Sequence, residues 1–420
     1  MVTSKNYITV LLAAALFTRA VGDIVVPGAN GTDGVLNIST NTVIDLSRAV
    51  TAAWDSDNSA NAGKGVYDAS KWAVVFKYSS VTIRSNATVT FRNHASRAPV
   101  VWLVSGDVRI DGNVNLDGQN WVYAPLHAEP GPGGGRGGQG YFGSGLKSGS
   151  GFGIGGGSMA QGGNYGAIPG PRPAYGNPSI LQLIGGAGGG GATGDYDRGG
   201  GAGGGAILVA ARDTIEINGK ISANGGSAVS GYDWPSHGAG SGGAIRLISN
   251  SIQGRGAVNA LAGGANTYNG QVAVAGFGRL RLERVQTLDL GNGTISFGPD
   301  PSVVTLAQGS EALIWPPTGA PEVRITSIGG GAVSLDPRAG FGAFGPDVAL
   351  PITNRTFVTV ETKNVEPQSQ VIVRVTPRAN ANFLEANAAI VSSTNSAIQW
   401  QAGVDVNVGY SAVQVRVVRP

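Results

Sequence analysis

Short runs of alternating apolar and polar residues recur along this chain in a common order. Residues 100–118 (VVWLVSGDVRIDGNVNLDG), 206–226 (AILVAARDTIEINGKISANGG), 244–264 (AIRLISNSIQGRGAVNALAGG) and 279–298 (RLRLERVQTLDLGNGTISFG) share one layout. Each holds an apolar strand, a polar corner, an alternating strand, a Gly-bearing corner and a third short strand. The skeleton is clearest at Val108, Ile110, Gly112, Val114 and Leu116, with counterparts Ile215, Ile217, Gly219, Ile221 and Ala223. The last two copies need a one-residue insertion to align fully. Weaker copies stand at Leu36–Leu46 and at 81–91 (VTIRSNATVTF).

A period of two places the apolar residues on one face of each strand. A single coil of this kind cannot bury that face, whereas stacked coils do, so the pattern predicts an irregular β-helix-like solenoid of about six coils. A sandwich of hairpins is the competing arrangement. The coil starts are unevenly spaced, which predicts loops of very different length leaving the solenoid.

The longest excursion, 120–205, is unusual in composition: 33 of the 75 residues from 131 to 205 are glycine. Flexible linker is the ordinary reading of such tracts. Two features favour ordered packing instead. Aromatic and apolar residues (Tyr141, Phe142, Phe152, Ile154, Tyr165, Tyr175, Ile180, Leu183) are interleaved, and Gly blocks stand directly before the strands at 206 and 244. Glycine at every position or two permits extended threefold strands to approach closely, as at the collagen axis.

After about residue 299 the glycine density falls. Strands are expected at Val323–Ile328, Phe357–Glu361, Gln370–Val375, Val404–Val408 and Val413–Val418, separated by Pro and Gly, with one or two helical turns at Ala381–Ala389. This predicts a small immunoglobulin-like β-sandwich. The organisation read from the chain is therefore all-β: signal peptide 1–20, solenoid 21–300 with its Gly-rich insertion at 120–205, a closing strand and linker at 301–320 with Trp315-Pro316-Pro317, and sandwich 321–420. The signal peptide rests on Lys5, the apolar run Tyr7–Phe17 and small residues at Thr18 and Ala20. It implies a secreted or cell-surface protein. No later run is long enough for a transmembrane span.

Charged residues are only 13% of the chain and the net charge is +3, without a Lys/Arg cluster, so nucleic acid is not an expected partner. The absence of cysteine removes disulfides, thiolate metal sites and a Cys nucleophile. The three histidines (His94, His127, His237) share no metal-ligand spacing. Candidate chemistry is confined to Asp195 and Asp197, with Arg198 beside them, and to Asp233 with His237. Paired carboxylates can divide acid and base roles, or ligate Ca²⁺ with backbone carbonyls, but two Asp in a Gly-rich loop serve ordinary turns equally well. Apart from possible Ca²⁺, no cofactor is expected. Trp54, Trp72, Trp121 and Trp234 with Tyr67, Tyr123 and Tyr232 would offer a carbohydrate-stacking surface if exposed.

The runs WAVVFKYSSVTI, APVVWLVSGDVRIDGNVNLDG, GPGGGRGG, YGNPSILQLIGGAGGGG, GGGAGGGAILVAA, GSGGAIRLIS and GRLRLE resemble uncharacterised glycine-rich exported proteins of planctomycete and verrucomicrobial bacteria. The resemblance covers about residues 65–285 and implies no activity and no site residues. The expectation is a non-enzymatic structural or adhesive protein, with polysaccharide or other surface components as partners. The alternative is a carbohydrate-active enzyme, a lyase or hydrolase, using Asp195, Asp197 and Asp233. A flat ice-binding face fits less well, because the outward positions Arg109, Glu216, Gln253 and Asp289 are charged or amide-bearing.

Overall fold

The computed structural model describes residues 23–420 except 58–61, 142–146, 160–177, 193–196, 229–236, 265–266, 269–270, 273–274, 287–294, 338–344, 352–354 and 380. The expected signal peptide lies outside the described residues. Strands make up 40% of the chain, and among the described residues the only helical element is a 3-10 turn at Leu46–Arg48. No described helix is long and apolar enough to cross a membrane.

Three largely parallel sheets are visited in rotation. From Ala73–Tyr78 in the third sheet, the chain passes to Ser80–Ile83 in the first and Thr88–Arg92 in the second, then returns to the third at Val100–Val104. It repeats this circuit through Val108–Ile110, Asn113–Asn115 and Ala206–Ala211, and again through Thr214–Ile217, Lys220–Ser222 and Ala244–Ser249. Register follows the repeated skeleton: Val108 pairs with Ile215 and Ile215 with Ile252, while Val114 pairs with Ile221 and Ile221 with Val258. The coil starts agree as well, since Ala206 pairs with Ala244 and Ala244 with Arg279. The one-residue misfit of the third copy is a shorter corner rather than an altered strand. Two residues separate Ala206–Ala211 from Thr214–Ile217, but only Asn250 separates Ala244–Ser249 from Ser251–Gly254.

The circuits are also tied by side chains at their corners. Asp107 Oδ1 accepts the Thr214 N–H, Asp117 Oδ1 that of Asn224, and Asn224 Oδ1 that of Leu261. Short polar side chains satisfy the neighbouring coil where the ladder of strand bonds is interrupted.

The sheets enclose a core of Val, Ile, Leu and Ala with Trp102, Phe76 and Tyr78. Strands of the first sheet are wet on one side and alternate in burial, as at Val108–Ile110. The central strands of the third sheet, Ala73–Tyr78, Val100–Val104 and Ala206–Ala211, are buried on both faces and read as continuous, mostly apolar runs. Their outer face carries Val101, Leu103, Leu208 and Ile248, covered by Ile24, Val26, Ala312 and Ile314. The 301–320 segment packs against this sheet. Ser302–Thr305 extends the third sheet, and the residues after it pack on that sheet, where Trp315 meets Trp54 edge-on at 5.5 Å.

Residues 322–418 form two antiparallel sheets. The larger contains Glu322–Ile328, Gly331–Ala332, Arg355–Lys363, Ala389–Ser393 and Ile398–Asp405, and the smaller Gln370–Pro377, Leu384–Asn387 and Ser411–Val418. Val358, Val360, Val371, Val373 and Trp400 fill the space between them. Two sequence expectations are corrected here. The strand placed at Val404–Val408 runs from Ile398 to Asp405, because Trp400 and Ala402 face inward in alternation with Val404. The helical turns at Ala381–Ala389 give way to the strands Leu384–Asn387 and Ala389–Ser393, which bond to Gln370–Pro377 and Ile398–Asp405. Tertiary pairing overrides local helix preference.

Candidate functional site

The long excursion is built of extended segments whose hydrogen bonds recur every third residue. Gly135 and Gly138 donate to the carbonyls of Gly186 and Gly189, and Gly186 and Gly189 donate to those of Gly204 and Gly201. Gly203 and Gly200 donate back to Gly135 and Gly138, while Gly201 and Gly204 donate to Gly238 and Ser241. The segment 198–205 thus bonds to 116–119, 131–138, 185–189, 223–226 and 238–241. In a sheet a strand has two neighbours; five make a bundle. A period of three with no internal bonds is the geometry of polyproline-II-like strands, which project donors and acceptors in three directions.

Such packing needs bare backbone. A Cβ on Gly188 would lie 1.8 Å from the Arg136 carbonyl oxygen, and one on Gly226 1.8 Å from that of Gln119. The ordered packing expected from the interleaved glycines is present among the described residues. Most of the segments named above are buried.

Two open clefts border this bundle. The first, about 540 Å³, lies between the Thr88–Arg92 strand with its following turn and the segments 115–119 and 129–136. The second, about 350 Å³, shares Gln119, Glu129 and Arg136 with it and adds His127, Leu126 and Arg378. Glu129 stands at the junction: Arg136 Nε donates to its Oε1 at 2.8 Å, and Arg97 pairs with its other oxygen. Arg97 has a left-handed backbone (φ 55°), unusual for a residue with a side chain. It is held there by its own N–H donating to the His94 carbonyl and by the Gly133 N–H donating to its carbonyl.

His127 forms a half-buried wall of the second cleft. Its Nδ1 donates to the Gly137 carbonyl at 2.9 Å, and its ring meets Phe152 edge-on. Burial lowers its pKa, and the Arg378 and Arg97 guanidinium groups disfavour its protonation further. A histidine depressed in the folded state binds protons more readily when unfolded, so it reduces stability as pH falls below about 6.5. Thermal unfolding of His127→Gln is therefore expected to change less than wild type between pH 8 and pH 5; equal pH slopes would refute this role.

The other histidines are structural. His94 Nδ1 accepts from Ser96 Oγ at 2.8 Å, and its ring stacks on Tyr67 at 4.1 Å. His237 is wholly buried beside Trp121. Of the acidic candidates, Asp195 and Asp233 lie outside the described residues. Asp197 is exposed, and its backbone carbonyl accepts from the Ala124 N–H. Among the described residues no cluster of three or more His, Cys, Asp or Glu is placed to hold a metal ion.

The aromatic surface divides. Tyr67 is in the core, with its hydroxyl donating to Asp336; Trp72 packs on the core and donates to the Ser96 carbonyl; Trp54 covers the third sheet. Trp234 and Tyr232 lie outside the described residues. Tyr123 remains exposed, with Trp121 edge-on at 4.8 Å and Arg198 over the Trp121 ring.

No protein-family model, curated protein or solved structure matches this chain. The clefts themselves were not foreseeable from motifs: positions 97 and 378 are far in sequence from the pair at 129 and 136, and no spacing rule joins them.

Proposed function

We propose that this is a non-enzymatic extracellular or cell-surface protein with a structural or adhesive role, in which a β-helix-like solenoid forms a stiff stalk and an immunoglobulin-like sandwich closes it. The resemblance to glycine-rich exported bacterial proteins supports the location, together with the N-terminal pattern of Lys5 and the apolar run to Phe17. The observation that carries the mechanical reading is the glycine bundle. Its backbone bonds run in several directions, so 198–205 is fastened on five sides rather than two. Backbone bonds buried from water resist local opening.

The sandwich is fastened to the same bundle. Phe383 N–H donates to Ser150 Oγ, Asn382 Oδ1 accepts from Ser150 and from the Met159 N–H, and Arg374 donates to the carbonyls of Gly153 and Gly156. A stalk and terminal module joined this way transmit load without a loose linker.

Cell fractionation with sequencing of the mature N-terminus tests the location. The expected result is a product outside the cytoplasmic membrane beginning near residue 21. A cytoplasmic product retaining Lys5 would overturn the reading. Polysaccharide cleavage lost on Asp195→Asn would overturn its non-enzymatic part and favour the lyase or hydrolase alternative.

A further inference from the structure

We propose that the two joined clefts form one binding trough for a carboxylated polysaccharide, a polyuronate, with Arg378 and Arg136 reading its carboxylates and Tyr123 receiving a sugar ring. This rests on the reading of the chain as a surface protein, and it supplies the ligand for that role.

The charge of the walls selects an anionic ligand. The described lining residues include Arg92, Arg97, Arg136 and Arg378 against Asp117 and Glu129, and no lysine. Arginine presents a planar fork that matches a carboxylate with two parallel hydrogen bonds, which an ammonium group does not. The positions of the forks are set beforehand. Glu129 holds Arg97 and Arg136 from between, its own N–H donates to Gln119 Oε1, and Arg97 is fastened in its left-handed conformation by two backbone bonds. A non-glycine residue kept in that region by its surroundings is a feature that gathers at ligand sites.

The same walls suit the hydroxyl groups of a sugar chain. Asp117, Glu129, Gln119 and Asn115 offer acceptors for hydroxyl groups. The rim completes the match. The Leu126 N–H donates to the Tyr123 carbonyl, so Tyr123, outside the cleft lining and 54% exposed, sits on the same turn as Val122, Pro125 and Leu126, which line the second cleft. An aromatic face beside polar groups suits the apolar face of a pyranose. Two open clefts meeting at one wall accommodate consecutive residues of a chain, unlike a closed pocket for a small molecule.

Arg378 makes the trough depend on both parts of the molecule. It follows the strand Gln370–Pro377, its N–H donates to the Tyr410 carbonyl, and its own carbonyl lies close to Gly149 of the bundle.

Binding of the purified full chain to polygalacturonate, measured by calorimetry, tests this without any variant. The expected result is binding that falls at least tenfold when the carboxyls are methyl-esterified, and that weakens between 50 and 300 mM salt. Arg378→Gln and Tyr123→Ala, at half-buried and exposed positions, should each weaken binding about tenfold while keeping the wild-type unfolding midpoint. Equal affinity for the esterified polymer would overturn the proposal, as would tighter binding of single-stranded DNA or polyglutamate. If a variant lowers the unfolding midpoint, the esterified comparison on wild type decides. Location by fractionation is independent, so a surface protein that ignores polyuronate would refute the trough and leave the surface role standing.

Discussion

Gly188→Ala is expected to destabilise the protein by about 3 kcal/mol or more, at the upper end of overpacking costs. The added methyl group would stand 1.8 Å from the Arg136 carbonyl oxygen, 2.5 Å from its carbon and 2.9 Å from the Gly137 nitrogen. All three are backbone atoms, so no side chain can swing aside. The segments must separate, which also lengthens the bonds from Gly188 N–H to the Phe152 carbonyl and from Gly157 N–H to the Gly188 carbonyl. Each buried amide left unpaired adds about 1–3 kcal/mol. Gly149→Ala is the matched control. It lies in the same bundle and donates to the Gln139 carbonyl, yet its nearest neighbour would be 3.4 Å away, an ordinary contact. Its effect should stay within about 1 kcal/mol. Urea unfolding of the two variants decides the matter. Equal losses would mean that glycine serves chain flexibility here, not close approach.

Glu283→Ala should cost about 3–5 kcal/mol, because it strands a buried positive charge. Glu283 Oε1 accepts from Arg246 Nε at 2.8 Å and from Arg281 Nε at 2.5 Å. The Arg246 side chain is 1% exposed and that of Glu283 4%, whereas that of Arg281 is 18% exposed. Arg281 keeps some access to water when the carboxylate is removed, but Arg246 has almost none. The paired change Arg246→Met with Glu283→Leu removes both buried charges and should be within about 1–2 kcal/mol of wild type, or more stable. Denaturant midpoints of the single and double variants give the answer. A double variant as unstable as the single one would show that shape, not charge, limits this site.

The strand order could be read from the chain because period-two burial leaves a linear trace. Val108, Ile215 and Ile252 carry the same inward role at the same place in each circuit, and the structure pairs them directly. The resemblance of the Gly blocks to linker could be discounted for a similar reason. Gly205 and Gly243 abut the strands at 206 and 244, and Gly243 is packed against the Gly205 carbonyl.

Other features left no such trace. The segment after Ser302–Thr305 was expected to link two domains, and its use as a cover for the third sheet depends on where Ile314 and Trp315 fall in space. Short-range preference for a helical turn at 381–389 lost to pairing partners that stand on other strands. Of the acidic candidates, Asp197 is the one within the described residues, and the clefts draw instead on arginines that no motif singles out.

What the sequence by itself determined is therefore the alternation, the corners and the places where backbone must come close, since each depends on residues near one another in the chain. Only the tertiary structure decided which glycine segments are neighbours, that Glu129 meets Arg97 and Arg136, and that Arg378 reaches the same trough. Those contacts depend on circuits of unequal length returning to the same three sheets, and unequal loops erase the spacing from which such meetings could be foreseen.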